Sequence, residues 1–212
     1  SGDGGGIANW GVLYIENSIV QGNHAGTGEF SRSGDGGGIA NFGTLTARNT
    51  HLSNNRSGFP TFYKCAAFGG NGGAIMNAGQ MALFDSTVHS NLTPSGSKGG
   101  SGGGIYNTGT ITLTHSTVSE NRTGDGTTYA ADFIYPCVSY GGDGGGIFNS
   151  EELVLFNSTI SGNETGHGME TPTTGGGGRG GGIFNTNDGS TVTATNSTIA
   201  FNRVGRGWDN VT

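Results

Sequence analysis

Along TGTITLTHSTVSEN (residues 108–121), apolar and polar residues alternate with a period of two. Ile105, Asn107, Gly109, Ile111 and Leu113 share one parity, and Thr108, Thr110, Thr112 and Thr114 take the other. That spacing puts the two sets on opposite faces of a strand, one face apolar and one rich in Thr. The frame recurs six times, each copy opening on a glycine phrase: GGGIAN (4–9), GGGIAN (36–41), GGAIMN (72–77), GGGIYN (102–107), GGGIFN (144–149) and GGGIFN (180–185). Each copy closes on a second Asn. It lies 14 residues after the first in five copies and 17 in the sixth, where NDG at 187–189 reads as a turn insertion. No segment shows a helical period.

Short strands, tight corners and a repeat of 30 to 42 residues predict an all-β fold, a parallel β-helix or β-solenoid. The handedness rule for parallel crossovers makes it right-handed. One domain is expected over 1–212, with about six coils of three short strands, starting near 1, 33, 69, 99, 141 and 177. Stacking at about 4.8 Å per coil aligns equivalent residues into columns. Three apolar columns follow. One runs from Ile7 to Ile183, one from Leu13 to Val192, and one from Val20 to Ile199. Asn shares the inward parity, and a buried amide costs roughly 2–7 kcal/mol unless it is hydrogen-bonded. Two Asn ladders satisfy that condition: Asn9, Asn41, Asn77, Asn107, Asn149 and Asn185, then Asn23, Asn55, Asn91, Asn121, Asn163 and Asn202. Apart from the NDG insertion, length varies in one place, between the second Asn and the next glycine phrase, so long arms leave one corner at about 24–35, 56–71, 92–101, 122–143 and 164–179.

Composition narrows the function classes. The 212 residues hold 46 Gly, roughly three times the usual share, and a net charge of −6. An acidic balance of that kind does not suit a nucleic-acid partner. No run of about 18 apolar residues exists, so no membrane insertion is expected.

The frame GGGIFN…LVLFNSTISGN resembles the right-handed parallel β-helix, pectin-lyase-like, repeat of bacterial surface and secreted proteins. GGAI at 72–75 is similar to the repeat of polymorphic outer-membrane proteins and autotransporter adhesins. The resemblance implies an extracellular or cell-surface home. Enzymes that resemble this fold cluster Asp, Lys or Arg on one outer face. The acids here are scattered, and the chain is read as a non-enzyme.

Individual residues suggest narrower roles. Asp3, Asp35, Asn71, Ser101, Asp143 and Arg179 form one column. Asp3 and Asp35 are close enough there to repel, or to share a cation such as calcium through oxygen ligands; no other cofactor is expected. Glu16 and Arg48 are expected to form a cross-strand ion pair. Cys65 and Cys137 lie in the long arms of coils two and four, which can lean together over the shortest arm, and a disulfide is expected between them. Seven Asn-x-Ser/Thr sequons occur, most of them by-products of the repeat. Asn210 is the one outside the repeat frame and is read as open to glycosylation.

Ser1 falls inside a glycine phrase, so the chain reads as a mature or trimmed product. SGDGGGI placed after Thr212 would continue the repeat in register. The expectation is a structural subunit that stacks head to tail with itself into a homopolymer, a filament or surface stalk, with Arg179 of one copy meeting Asp3 of the next. A segment of a larger adhesin, binding a glycan or surface receptor, is the alternative. A polysaccharide-processing enzyme is third.

Overall fold

A computed structural model describes residues 2–28, 33–61, 67–127, 138–169, 175–186 and 189–207. Cys65, Cys137 and Asn210 lie outside these residues. The chain winds as a right-handed β-solenoid of six coils. Coil one contributes β1 (Ile7–Asn9), β2 (Val12–Glu16) and β3 (Ile19–Gln21). Coils two to four contribute β4 (Ile39–Asn41), β5 (Thr44–Arg48), β6 (His51–Ser53), β7 (Ile75–Asn77), β8 (Gln80–Phe84), β9 (Thr87–His89), β10 (Ile105–Asn107), β11 (Thr110–Thr114) and β12 (Thr117–Ser119). Coils five and six contribute β13 (Ile147–Asn149), β14 (Glu152–Phe156), β15 (Thr159–Ser161), β16 (Ile183–Asn185), β17 (Thr191–Thr195) and β18 (Thr198–Ala200). The first, second and third strands of each coil stack into three parallel sheets of six strands.

Register never slips. Ile39 pairs with Ile7 below and Ile75 above, and Leu45 sits between Leu13 and Met81. The inward residues of coils two to five form one continuous core, with Ile39, Leu52, Ile75, Leu83, Ile105, Leu113, Ile147, Leu155 and Ile160 fully buried. Each contributes about 1.5–3 kcal/mol, an upper value set by an extended unfolded chain.

The strands are short because each coil turns three times through a single left-handed residue. The first corner is Gly4, Gly36, Gly72, Gly102, Gly144 or Gly180, with φ between 65° and 69°. A Cβ on Gly36 would stand 2.3 Å from the Ile39 carbonyl oxygen, so only glycine fits. The second corner is Asn17, Asn49, Asp85, His115, Asn157 or Asn196, with φ between 43° and 49°. Asn, Asp and His are the side chains that best tolerate that region, which accounts for His115 among asparagines. The third is Gly22, Asn54, Ser90, Glu120, Gly162 or Phe201.

One outward expectation changes. Among the described residues no ion pair joins Glu16 to Arg48. Arg48 turns instead to the next coil and lays its guanidinium 4.0 Å from the centre of the Phe84 ring. A long side chain in a column can reach up or down, and the ring face above it is the better-covered partner. The outward column Ala8, Ala40, Met76, Tyr106, Phe148, Phe184 is a graded one. Ala40 and Met76 are buried, while Tyr106, Phe148 and Phe184 are half-buried and stack, with ring centres 4.6 and 5.5 Å apart.

Candidate functional site

The surface repeated most often in this molecule is the face one coil offers the next. Its polar chemistry lies in directional ladders. In the first, Asn9, Asn41, Asn77, Asn107 and Asn149 each donate Nδ2 to the Oδ1 of the Asn one coil above, all at 2.7 Å. The same nitrogen reaches a backbone carbonyl of the next coil, as from Asn41 to Gln80 at 3.0 Å. In the second, Asn23, Asn55, Asn91, Asn121 and Asn163 donate upward at 2.9–3.0 Å, and the Oδ1 they reach also takes the backbone N–H of the Asn below it. Asn41, Asn77, Asn107, Asn149, Asn121 and Asn163 have no exposed surface.

A third ladder is made of hydroxyls. Ser18, Thr50, Ser86, Ser116, Ser158 and Ser197 each donate to the carbonyl two residues earlier. From Ser86 upward each hydroxyl oxygen also accepts the N–H of its counterpart one coil below. The Asp3 column runs in the opposite sense, because each side-chain oxygen accepts the backbone N–H from the coil above. Asp35 N donates to Asp3 Oδ1 at 2.8 Å, Asn71 N to Asp35 Oδ1 at 2.7 Å, and Ser101 N to Asn71 Oδ1 at 2.9 Å. These bonds give Asp3 and Asp35 a structural task. Among the described residues no group of three His, Cys, Asp or Glu is placed to hold a metal ion.

The column ends on Arg179, which brings no acceptor. Its guanidinium grips both oxygens of Asp143, at 3.2 and 3.0 Å, and lies 4.4 Å from the centre of the Phe184 ring. The hydrogen-bonded Asp143 carboxylate raises the Arg179 pKa above its ordinary value. Asp3 and Arg179 stand at opposite ends of this column and do not meet within one chain.

Where each arm leaves and re-enters the coil, glycines form a zipper. Gly26 N donates to Gly2 O, Gly34 N to Gly26 O, Gly58 N to Gly34 O and Gly70 N to Gly58 O, at 2.8–3.1 Å. Gly100 N bonds Pro94 O, Gly142 N bonds Gly124 O, and Gly178 N bonds Gly166 O. Buried hydroxyls lock this neck: Ser57, Thr93, Thr123 and Thr165 donate to the carbonyls of Gly70, Gly100, Gly142 and Gly178 at 2.6–2.8 Å. Thr93, Thr123 and Thr165 also accept the N–H of Gly124, Gly166 and Gly205. Each hydroxyl sits two residues after a ladder Asn, so four sequons, at Asn55, Asn91, Asn121 and Asn163, are a core amide plus a neck hydroxyl. The sequence shows the pairing but not its cause.

Beside the necks, two adjoining clefts of about 430 and 580 Å³ flank Lys98. One is walled by Phe68, Tyr106 and Phe148 over Asn71 and Ser101, the other by Tyr140 over Asp143 and Arg179.

Compared with known proteins, the chain matches no protein-family model, no curated protein and no solved structure.

Proposed function

We propose that this protein is a non-catalytic structural subunit, a β-solenoid rod that lengthens by stacking head to tail into an extracellular filament or surface stalk. The observation that carries this reading is the coil-to-coil surface: the Asn ladder and the three strand registers repeat at every step from coil one to coil six, so the upper face of one coil is complementary to the lower face of another. Ile199 is 51% exposed and Val192 36%, whereas their column mates Ile160 and Leu153 are fully buried. At the other end the inward Ile7, Leu13 and Ile15 are only partly buried, whereas their column mates Ile39, Leu45 and Ala47 are covered. Uncovered strand edges with apolar side chains favour association. A heterologous contact between unlike ends does not close on itself, so it propagates. The repeat's likeness to autotransporter and polymorphic outer-membrane β-helices fits a surface location.

Electron microscopy of the isolated protein tests the reading. Fibres of uniform width, one solenoid thick or bundled, are the expected result. A protein that stays monomeric at every concentration up to its solubility limit overturns it.

The clefts beside Lys98 favour a second reading, a segment of a larger adhesin. Stacked aromatic faces with an amide, a hydroxyl and an ammonium at their edge can hold a sugar ring. Glycan-array binding lost on Phe148→Ala would support it.

A further inference from the structure

Two glycines of coil one have no steric reason to be glycine within the chain. At the neck, the counterparts of Gly2 in coils two to six are Gly34, Gly70, Gly100, Gly142 and Gly178. A Cβ on any of them would lie 1.9–2.1 Å from a backbone oxygen of the coil below: Gly2, Gly34, Gly70, Gly100 and Gly142 in turn. Real Cβ atoms do not approach so closely, so each of these residues is glycine because a coil lies beneath it. Gly2 has the same place in its coil, yet nothing lies within 4 Å of its Cβ position, and its φ makes no demand for glycine. Gly11 repeats the pattern. Gly43, Gly79 and Gly109 are closed at 2.0–2.1 Å by the oxygens of Gly11, Gly43 and Gly79, while Gly11 itself is open. Coils five and six, with Glu151 and Ser190 in that place, depart from the pattern.

We propose that the underside of coil one is a seat for the top of coil six of a second copy, in the register that continues the glycine zipper. The proposal rests on the head-to-tail reading and specifies its junction. Gly2 of one copy lies over the Gly178 carbonyl of the other, as Gly34 lies over Gly2. The Gly2 N–H donates to the Gly205 carbonyl, as Gly34 N does to Gly26 O.

Two features of coil six say which occupant fits. Its column residue beside the zipper is Arg179, with a side chain 70% exposed, and the residue it would face is Asp3, exposed where its counterpart Asp35 is 2% exposed. Within the chain the same step, Asp143 to Arg179, closes at 3.0 Å. At the junction Arg179 therefore stands between two carboxylates, and this pair replaces the N–H-to-side-chain bond that an arginine cannot accept. At the third corner Phe201 is 93% exposed, and the corner that would rise above it is Gly22, with open space at its Cβ position.

The test is Gly2→Val in the full chain, beside the parent and Gly178→Val, followed by circular dichroism, sedimentation and electron microscopy. Gly2→Val is expected to melt with the parent, because its side chain meets only open space. Its assembly constant is expected to fall by about tenfold or more, equivalent to about 1.4 kcal/mol. Gly178→Val, which strikes the Gly142 oxygen within the chain, is expected to lower the melting temperature. Gly2→Ala serves if the valine variant expresses poorly, since one methyl is enough to meet the oxygen. Fibres of Gly2→Val that match the parent's overturn this junction and leave the filament reading standing. A parent that forms no fibres overturns both.

Discussion

At the scale of the residue, the asparagines show how position decides chemistry. Asn107 is wholly buried, accepts from Asn77 and donates to Asn149 and to backbone carbonyls of its own and the next coil. Asn107→Leu adds apolar surface yet removes the side-chain acceptor that Asn77 Nδ2 reaches at 2.7 Å and takes from the buried Asn149 oxygen the amide that donates to it. Each buried group left unsatisfied costs about 1–3 kcal/mol, so a clear drop in the chemical-denaturation midpoint is expected. A midpoint at or above the parent's would show that the ladder contributes nothing. The same burial separates the sequons. Asn55, Asn91, Asn121 and Asn163 are at most 1% exposed and spend Nδ2 on their ladder. Asn157 and Asn196 sit exposed at left-handed corners. Protein secreted in folded form from a glycosylating host is expected to carry no glycan on the four ladder residues, and peptide mass mapping checks this. The inward parity of these asparagines was legible from their six-fold recurrence. The turn of Arg48 toward Phe84 was not, because charge pairing in a column has two directions to choose from.

At the scale of the element, every strand column was legible, since a period of two repeated six times leaves one face for the core. The neck was not. Glycine carries no side chain to announce which oxygen it approaches, and arms of unequal length hide the pairing of Gly26 with Gly34, or of Gly124 with Gly142, from any fixed spacing. The hydroxyls of Ser57, Thr93, Thr123 and Thr165 could have pointed to it, but their place in the sequon pattern offered a ready explanation of another kind. Thr123→Val keeps the shape and removes two bonds, one given to Gly142 O at 2.6 Å and one taken from Gly166 N at 2.7 Å. A loss of about 1–3 kcal/mol is expected from equilibrium unfolding. An unchanged stability would mean that the backbone zipper alone holds the neck.

At the scale of the whole molecule, each coil touches only its neighbours, so stability follows a one-dimensional chain of interfaces. Coils three and four are covered on both sides; coils one and six are covered on one. Amide hydrogen exchange is expected to be slowest in β7–β12 and fastest in β1–β3 and β16–β18, as local opening starts where fewest contacts hold. In fibres the two outer sets are expected to slow toward the central ones. Uniform protection along the isolated chain would contradict the nearest-neighbour picture. Six coils in register were legible as a whole. The zipper's open places at Gly2 and Gly205 became visible only when the coils were stacked.

The tied neck has a consequence for how such a chain can diversify. Stacked partners in the first Asn ladder are separated by 32, 36, 30, 42 and 36 residues, yet the bond joining them stays at 2.7 Å throughout. Backbone bonds close each arm at its base, and bridges a little further out, such as Gly28 with Pro60 and Gly96 with Gly126, keep neighbouring arms in step, so the length of an arm does not set the pitch of the rod. Insertions and deletions between those bonds can accumulate without a change of step. The rod is a ruler whose marks are fixed and whose labels are free to be rewritten.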